Sequence, residues 1–315
     1  MVTGGLGFIG SNLVHRLVQA GAVVRVIDAL VPDHGGDVRN VDDLDIDVEI
    51  CEIGDPKMQT TLVEADTVFN LAGQVSHTAS MRDPERDLHL NAVTHARLLQ
   101  MLRDVRPQAR VVHLSTRQVY GRALHVPVDE SHPTHPVDVN GASKLAGEQL
   151  HMVYAHAYSM PITSLRLTNV YGPRQRLTSD ELGFLPVFVR KALGNHTIEL
   201  FGDGSQRRDC LYVDDVVDAI LAATDDRAIG RVFNVGNDID HSLAEIARIV
   251  IDSTASTADV RCRDWPTDNQ RIDIGSFHSD SRAIAAALGW HATTNLDDGM
   301  RRTASFYRGR PWYLS

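Results

Sequence analysis

The sequence has few of the features that mark secreted, membrane-spanning or metal-binding proteins. It contains three cysteines in 315 residues, Cys51, Cys210 and Cys262, an odd number at no metal-ligand spacing. This count argues against a disulfide framework and a zinc site. No run approaches the ~20 apolar residues of a membrane span, and no basic segment followed by an apolar core opens the chain. We therefore expect a cytoplasmic protein with no membrane partner and no metal.

An excess of positive charge is also lacking. The 31 lysines and arginines are outnumbered by 41 aspartates and glutamates, which gives a net charge of −10. Since no long block carries a single sign, general electrostatic attraction to nucleic acid is not expected. A local basic pocket for phosphates is compatible with this balance. The length allows one large domain and a smaller one.

The first thirty residues carry a dinucleotide-binding pattern. A strand that is short, or that begins upstream of the printed sequence, precedes Gly4, Gly7 and Gly10, and helical spacing follows over 11–20. These glycines permit a tight turn, close approach of a pyrophosphate and close packing of helix on strand, while the helix N-terminus favours negative charge. The next strand ends in Asp28, which can accept the ribose hydroxyls of NAD and would repel the extra phosphate of NADP. The pattern predicts NAD as cofactor.

Strands and helices alternate beyond this unit. The predicted strands are 47–51, 67–72, 110–115 and 162–167, and the predicted long helices are 84–105 and 140–158. Such alternation predicts an α/β fold, a Rossmann-type doubly wound parallel sheet with a smaller C-terminal α/β domain. We expect an NAD-binding domain in 1–170, with a returning segment near 209–236, and a substrate domain in 171–315.

A series of motifs resembles one family nearly from end to end. They are TGGLGFIG (3–10), LAG (71–73), STRQVYG (115–121), GASK (141–144), RLTNVYGPR (166–174), GDGSQRRD (202–209), YVDD (212–215) and LGW (288–290). Together they resemble the extended short-chain dehydrogenases/reductases that act as NAD-dependent nucleotide-sugar epimerases and dehydratases. The resemblance implies a nucleotide diphosphate sugar as substrate. It also implies a homodimer formed through helices 84–105 and 140–158.

The same resemblance implies which residues contact the cofactor. They comprise the glycine turn, the acid after the second strand, an adenine-binding pair, the turn against the pyrophosphate and the lysine that holds the nicotinamide ribose. These residues are Gly4, Gly7, Phe8, Ile9, Gly10, Asp28, Glu52, Ile53, Leu71, Ala72, Gly73 and Lys144.

The catalytic motif departs from the family at one position. Asn140 stands four residues before Lys144, where the family has a tyrosine, and a carboxamide cannot take up and return a proton as a phenol can. Thr116 matches the residue that hydrogen-bonds the reacting sugar hydroxyl. The proton could then move through His77, through a water held by Thr116 and Asn140, or through Tyr120. Among these groups, histidine has the most suitable titration range. The chain has 15 histidines, however, and the alternative is that His77 is a loop histidine with no part in the reaction.

The resemblance also implies the substrate contacts, Gln74, Thr116, Asn169, Arg208 and Arg271, the last two of which would clamp the diphosphate.

The two residues after Thr116 bear on the reaction. Family dehydratases have Asp-Glu there to eliminate water, whereas this sequence has Arg117 and Gln118. An epimerase-like oxidoreductase, which transfers hydride transiently, is therefore favoured. A dehydratase or decarboxylase, or a non-catalytic protein that binds NAD or a nucleotide sugar, remains the alternative. The sequence does not identify the nucleotide, the sugar or the reacting carbon.

Overall fold

A computed structural model describes residues 1–32 and 34–314. Its strands are β1 (Val2–Thr3), β2 (Arg25–Asp28), β3 (Asp47–Ile50), β4 (Thr67–Asn70), β5 (Arg110–Thr116), β6 (Ile162–Leu167), β7 (Asn169–Tyr171), β8 (Ile198–Phe201), β9 (Arg207–Tyr212), β10 (Val232–Val235), β11 (Asp240–Ser242) and β12 (Val260–Arg263). Seven of these form a parallel sheet in the order β10-β6-β5-β4-β1-β2-β3. The predicted Rossmann-type fold is confirmed. Its strand order changes direction at β1 and β4, the point where such sheets bind ligands.

Helices cover both faces of this sheet. Over the described residues, the α-helices of both halves of the chain are α1 (Phe8–Gln19), α2 (Gln59–Val63), α3 (His77–Arg82), α4 (Pro84–Leu88), α5 (Thr94–Val105), α6 (Val139–Ala157), α7 (Phe184–Leu193), α8 (Val213–Ala222), α9 (Leu243–Thr254), α10 (Thr267–Arg271), α11 (Arg282–Leu288) and α12 (Leu296–Arg308). Adjacent strand residues point to opposite faces. Val26 and Phe69 therefore join an apolar cluster with α1 and α8, whereas Ile27 and Val68 join a cluster with α5 and α6.

The second half of the chain builds a separate layer beside this sheet. Strands β11, β9 and β7 form one small sheet, and β12 pairs with β8. Helices α7, α9 and α12 enclose an apolar cluster of their own with these strands. Strand β10 lies in the main sheet beside β6. The predicted boundary at residue 170 stays a prediction.

The predicted helix 84–105 contains an irregular segment. The predicted helix consists of α4, a π-helical turn over His89–Val93 and α5. Such turns are frequent at functional sites. Here the turn carries Asn91, whose Oδ1 accepts a hydrogen bond from the Gln74 amide at 2.9 Å. None of the helices in the described residues has the length and apolar character required to cross a membrane.

Candidate active site

A cavity of about 830 Å³ opens at the carboxyl ends of β1, β2, β4, β5 and β6. Its lining on that side includes Gly4, Asp28 and Thr116, and its opposite wall includes Arg208 and Trp265 from the second half of the chain. The cavity thus lies at the position that ligands occupy in doubly wound sheets. Its volume is in the upper part of the range of small-molecule sites, about 300–1,000 Å³.

The glycine turn forms one end of the cavity. Gly4 has a φ of +67°, and a Cβ on Gly10 would lie 2.1 Å from the Gly4 carbonyl oxygen. Helix α1 begins at Phe8 without a side-chain cap and without an acidic residue in its first turn. The first amides of α1 are therefore left for an external anion, and the residues present fit the pyrophosphate of a dinucleotide.

Asp28 lies at the end of β2 beside this turn. Its Oδ1 accepts the Leu30 amide at 2.9 Å and its Oδ2 accepts the Leu6 amide at 3.0 Å. Burial raises the pKa of Asp28, against the effect of these two hydrogen bonds. Each oxygen keeps a further acceptor site, as two ribose hydroxyls would require. Glu52, also in the lining, contacts His89 at 2.9 Å between Oε2 and Nε2.

Asn140 has its amide committed to the protein. Its Nδ2 donates to the Gln74 carbonyl oxygen and to Asp87 Oδ2, each at 3.0 Å, and the residue is only 1% exposed. Both amide hydrogens are used, so only Oδ1 is left to face a ligand. One turn later, burial lowers the pKa of Lys144 to about 8, against the attraction of Asp87.

Thr116 ends β5 and caps the short helical turn that follows it. Its Oγ1 accepts the Gln118 amide at 3.3 Å, which leaves the hydroxyl hydrogen free to donate into the cavity. The preceding Ser115 also lines the cavity, and its buried Oγ has no hydrogen-bond partner among the described residues. The edge of β5 therefore presents the Thr116 hydroxyl to a ligand, whereas the Ser115 hydroxyl oxygen is enclosed.

His77 lies at the start of α3 and is paired with an acid. Its Nδ1 is 2.8 Å from Asp138 Oδ2, and Gln118 Nε2 donates to the same oxygen at 3.3 Å. The His77 side chain is 35% exposed and lines the cavity, whereas that of Asp138 is fully enclosed. Burial alone would raise the pKa of Asp138, but its contacts with His77, the Gly141 amide and Gln118 together outweigh burial and hold that pKa below its ordinary value.

Tyr120 cannot exchange a proton with a ligand in this cavity. It is fully buried, it donates to Asn234 Oδ1 at 2.7 Å, and it accepts from Arg166 at 2.8 Å. Burial raises the pKa of Tyr120 to about 12. The suggestion that Tyr120 supplies the missing phenol is therefore wrong.

Besides Thr116, two of the predicted substrate contacts lie in the cavity wall. Asn169 donates from Nδ2 to the Asp209 carbonyl oxygen at 3.1 Å and accepts from Arg117 at 2.9 Å. Arg208 lies 3.5 Å from Asp273, and burial lowers the pKa of its guanidinium.

Gln74 and Arg271 do not line the cavity. Gln74 is buried and its Oε1 accepts the Ser76 amide, so it braces the loop before α3. Arg271 is exposed at the end of α10. The geometry therefore does not support the predicted substrate contacts of these two residues.

The remaining predicted site residues share the lining of this one cavity. They are Gly4, Gly7, Phe8, Ile9, Gly10, Asp28, Glu52, Ile53, Leu71, Ala72, Gly73, His77, Thr116, Asn140, Lys144, Asn169 and Arg208.

Three residues beside them were not predicted to function: Asp87, Ser115 and Asp138. Asp138 precedes the predicted helix 140–158, as an N-cap acid does. This position is the only local feature of the sequence that could have drawn attention to it.

These features define a class of protein. The sequence profile of the NAD dependent epimerase/dehydratase family matches residues 1–236, and the chain belongs to that family. The family resemblance drawn from the motifs and the assignment of NAD as cofactor are confirmed.

Individual relatives are similar along their full length. The UDP-glucose 4-epimerase of Mycolicibacterium smegmatis is 33% identical over 98% of both chains. The structure of UDP-glucose 4-epimerase from Thermotoga maritima with UDP-glucose is 30% identical, with a TM-score of 0.90 over 98% of each chain. The structure of UDP-glucuronic acid 4-epimerase from Bacillus cereus with UDP-glucuronic acid and NAD is 25% identical, with a TM-score of 0.87 over 98% of each.

Proposed function

We propose that the protein interconverts two stereoisomers of a nucleotide diphosphate sugar by removing and restoring hydrogen at one carbinol carbon. The observation that carries this proposal is that one cavity brings the glycine turn and Lys144 together with Thr116 and Arg208. When bound in the cavity, NAD would supply the hydride acceptor for the carbinol carbon and the means of returning the hydride. The chain itself must then bind the diphosphate, hold the reacting hydroxyl and move its proton.

The residues around the reacting hydroxyl divide these tasks. Thr116 has a free hydroxyl hydrogen and would hold the sugar oxygen in place. Lys144, with a pKa of about 8, is mostly protonated at neutral pH, and its positive charge favours loss of the hydroxyl proton. Asn140 cannot take that proton, because a carboxamide is not a base at neutral pH. It cannot offer an amide hydrogen either, because both Nδ2 hydrogens are used within the protein. A different residue must act as acid and base.

We assign the proton to His77. Because its Nδ1 faces the Asp138 carboxylate, Nδ1 carries the hydrogen and Nε2 is left with a lone pair for the substrate. Asp138 is a positioning residue that fixes this tautomer, and its other oxygen accepts the Gly141 amide at 2.6 Å. The proposed site thus replaces a phenol on α6 by an imidazole on α3 that is tied to the first turn of α6.

A panel of nucleotide sugars tests the proposed function. The protein with NAD is mixed in turn with UDP-, GDP-, CDP- and dTDP-sugars, the sugar protons are followed by NMR, and absorbance reports bound NADH. We expect one sugar to give the signals of its epimer at unchanged mass. A product lighter by one water would identify a dehydratase. Binding without an epimer or NADH would leave a binding protein.

We also propose a homodimer formed through the helical segments 84–105 and 140–158. Large apolar side chains on both segments are exposed to solvent, which a partner copy would cover. They are Leu88, Val93, Val153 and Tyr158. Light scattering should give twice the chain mass for the wild type and a single chain mass for Val153→Asp. A monomeric wild type would refute this assembly.

A further inference from the structure

Arg117 is a cation in the cavity wall without an acidic partner. Its terminal nitrogens donate to Asn169 Oδ1 at 2.9 Å and to Gln118 Oε1 at 3.3 Å, both of them neutral amide oxygens. No carboxylate of the described residues lies within salt-bridge distance of its guanidinium. Each terminal nitrogen carries two hydrogens and uses one of them in these contacts, so hydrogens remain for a ligand.

A second guanidinium lies close to the first. Burial and the positive charge of Arg208 lower the pKa of Arg117 to about 10, against the attraction of Asp209 and Asp273. Arg208 has Asp273 at 3.5 Å and the Gly275 carbonyl oxygen as partners, so Asp273 forms its ion pair with Arg208 and not with Arg117. Asp209 and Asp273 attract the half-buried Arg117 only from beyond salt-bridge distance. A charge with so little direct compensation is costly to bury, which indicates that an anion belongs beside Arg117.

The position of Arg117 indicates which part of the substrate carries that anion. It directly follows Thr116, the residue proposed to hold the reacting sugar hydroxyl, whereas Arg208 comes from β9 in the second half of the chain. Arg208 is then the residue that binds the diphosphate, and Arg117 contacts the sugar. A planar guanidinium with two donors matches the two oxygens of a carboxylate.

We propose that Arg117 binds a carboxylate on the sugar, so that the substrate is a nucleotide diphosphate hexuronic acid. This inference rests on the proposed function and names its substrate class. The amide of Gln118 beside Arg117 adds no negative charge that would repel such a sugar. The arginine therefore favours an acidic sugar over its neutral counterpart, because it forms an ion pair with the carboxylate in a site that is partly shielded from water.

Calorimetric binding to the NAD-loaded protein tests this assignment, because it does not depend on turnover. The probes are UDP-glucuronate, UDP-glucose and UDP alone, and the variants are Arg117→Gln and Arg117→Lys. For Arg117→Gln we expect the Kd of UDP-glucuronate to rise roughly 10- to 100-fold while the other two change less than about 3-fold. Arg117→Lys keeps the charge but loses the planar guanidinium. We expect its Kd for UDP-glucuronate to lie between those of the wild type and Arg117→Gln.

The controls separate the possible failures. Arg301→Gln removes one positive charge from an exposed arginine on α12 paired with Asp298 and should leave all three affinities unchanged. An equal loss for all three probes would mean that Arg117 holds the diphosphate and would overturn the inference, as would no loss for any of them. Wild-type protein that binds UDP-glucose as tightly as UDP-glucuronate would also overturn it. Failure of every nucleotide sugar in the panel to bind the wild type would refute the proposed function itself.

Discussion

The two ends of the cavity differ in whether backbone groups or side chains form them. The cofactor end consists largely of backbone: a glycine turn, the uncapped start of α1 and amides that fix Asp28. The sugar end consists of side chains that hold one another, such as Asn140 on Asp87 and His77 on Asp138. Backbone geometry tolerates little change, whereas a network of side chains can be replaced as a set. This difference would allow one end to keep the family's glycine motif while Asn140 stands at the other end, where the resemblance implies a tyrosine.

The largest effect is expected from adding a single carbon at the cofactor end. In Gly10→Ala the new Cβ would lie 2.1 Å from the Gly4 carbonyl oxygen and 2.8 Å from its carbon, so the turn or α1 must move. We expect loss of measurable NAD binding and a free energy of unfolding lower by about 3 kcal/mol or more. Calorimetry with NAD and urea unfolding measure the two effects.

Gly309→Ala is the matched control for this change. Gly309 has nothing within 4 Å of an added Cβ, so neither NAD binding nor stability should change by a comparable amount. If Gly10→Ala bound NAD as tightly as the wild type, the cofactor end would be adaptable and the contrast between the two ends would be lost.

How far the sequence predicted the structure follows the same division. Hydrophobic periodicity and glycine spacing are local signals, and they predicted the parallel sheet, the glycine turn and Asp28. The other residues of the cofactor end were implied by the family resemblance. The partners of Asn140 lie 66 and 53 residues away along the chain, at Gln74 and Asp87. No local pattern encodes such pairings. The sequence therefore indicated that a tyrosine was missing but not that Asp138 faces His77.

The next effect concerns the His77 and Asp138 pair at the sugar end. Under the proposed mechanism, His77→Gln should lower kcat roughly 100- to 1,000-fold by removing the acid and base. Asp138→Asn should lower kcat roughly 10- to 100-fold, because the imidazole keeps its place but loses the carboxylate that fixes its tautomer. KM should change little in either variant, and the dependence of kcat on pH should change its shape.

Asp83→Asn provides the control for helix capping. Asp83 caps α4 as Asp138 caps α6, and asparagine is as good a cap as aspartate, so neither change should destabilise its helix. Equal kcat values for Asp83→Asn and Asp138→Asn would show that the acid acts only as a cap. The proton would then have to pass through another group.

The cofactor end also has one side-chain network, which lies behind it. The Leu71 and Ala72 amides donate to Thr3 Oγ1, and Thr3 donates to Asn70 Oδ1 at 2.7 Å. Asn70 Nδ2 in turn lies 3.2 Å from His151 Nε2. The turn predicted to face the pyrophosphate is thus connected to a buried cluster of three histidines, His95, His113 and His151.

These three histidines are suited to packing rather than to binding one metal ion. The rings of His113 and His151 are stacked at 3.9 Å with an angle of 18° between their planes. A metal ion lies close to the plane of each imidazole that binds it, about 2 Å from the nitrogen, and two nearly parallel planes do not meet at that distance. Burial lowers the pKa of all three rings, and that of His151 to about 4.

The smallest effect that we predict is a loss of stability in acid. The pKa of His151 is lower in the folded protein than the value of about 6.5 in the unfolded chain, so the unfolded state gains protons first as the pH falls. Between pH 7 and pH 5 this residue alone should cost about 2 kcal/mol of the free energy of unfolding. Urea unfolding at both pH values should show this loss in the wild type and a smaller one in His151→Gln. His156→Gln changes an exposed histidine on the same helix and should keep the wild-type loss. Equal losses in both variants would mean that the acid sensitivity does not arise from His151 in the network behind the cofactor end.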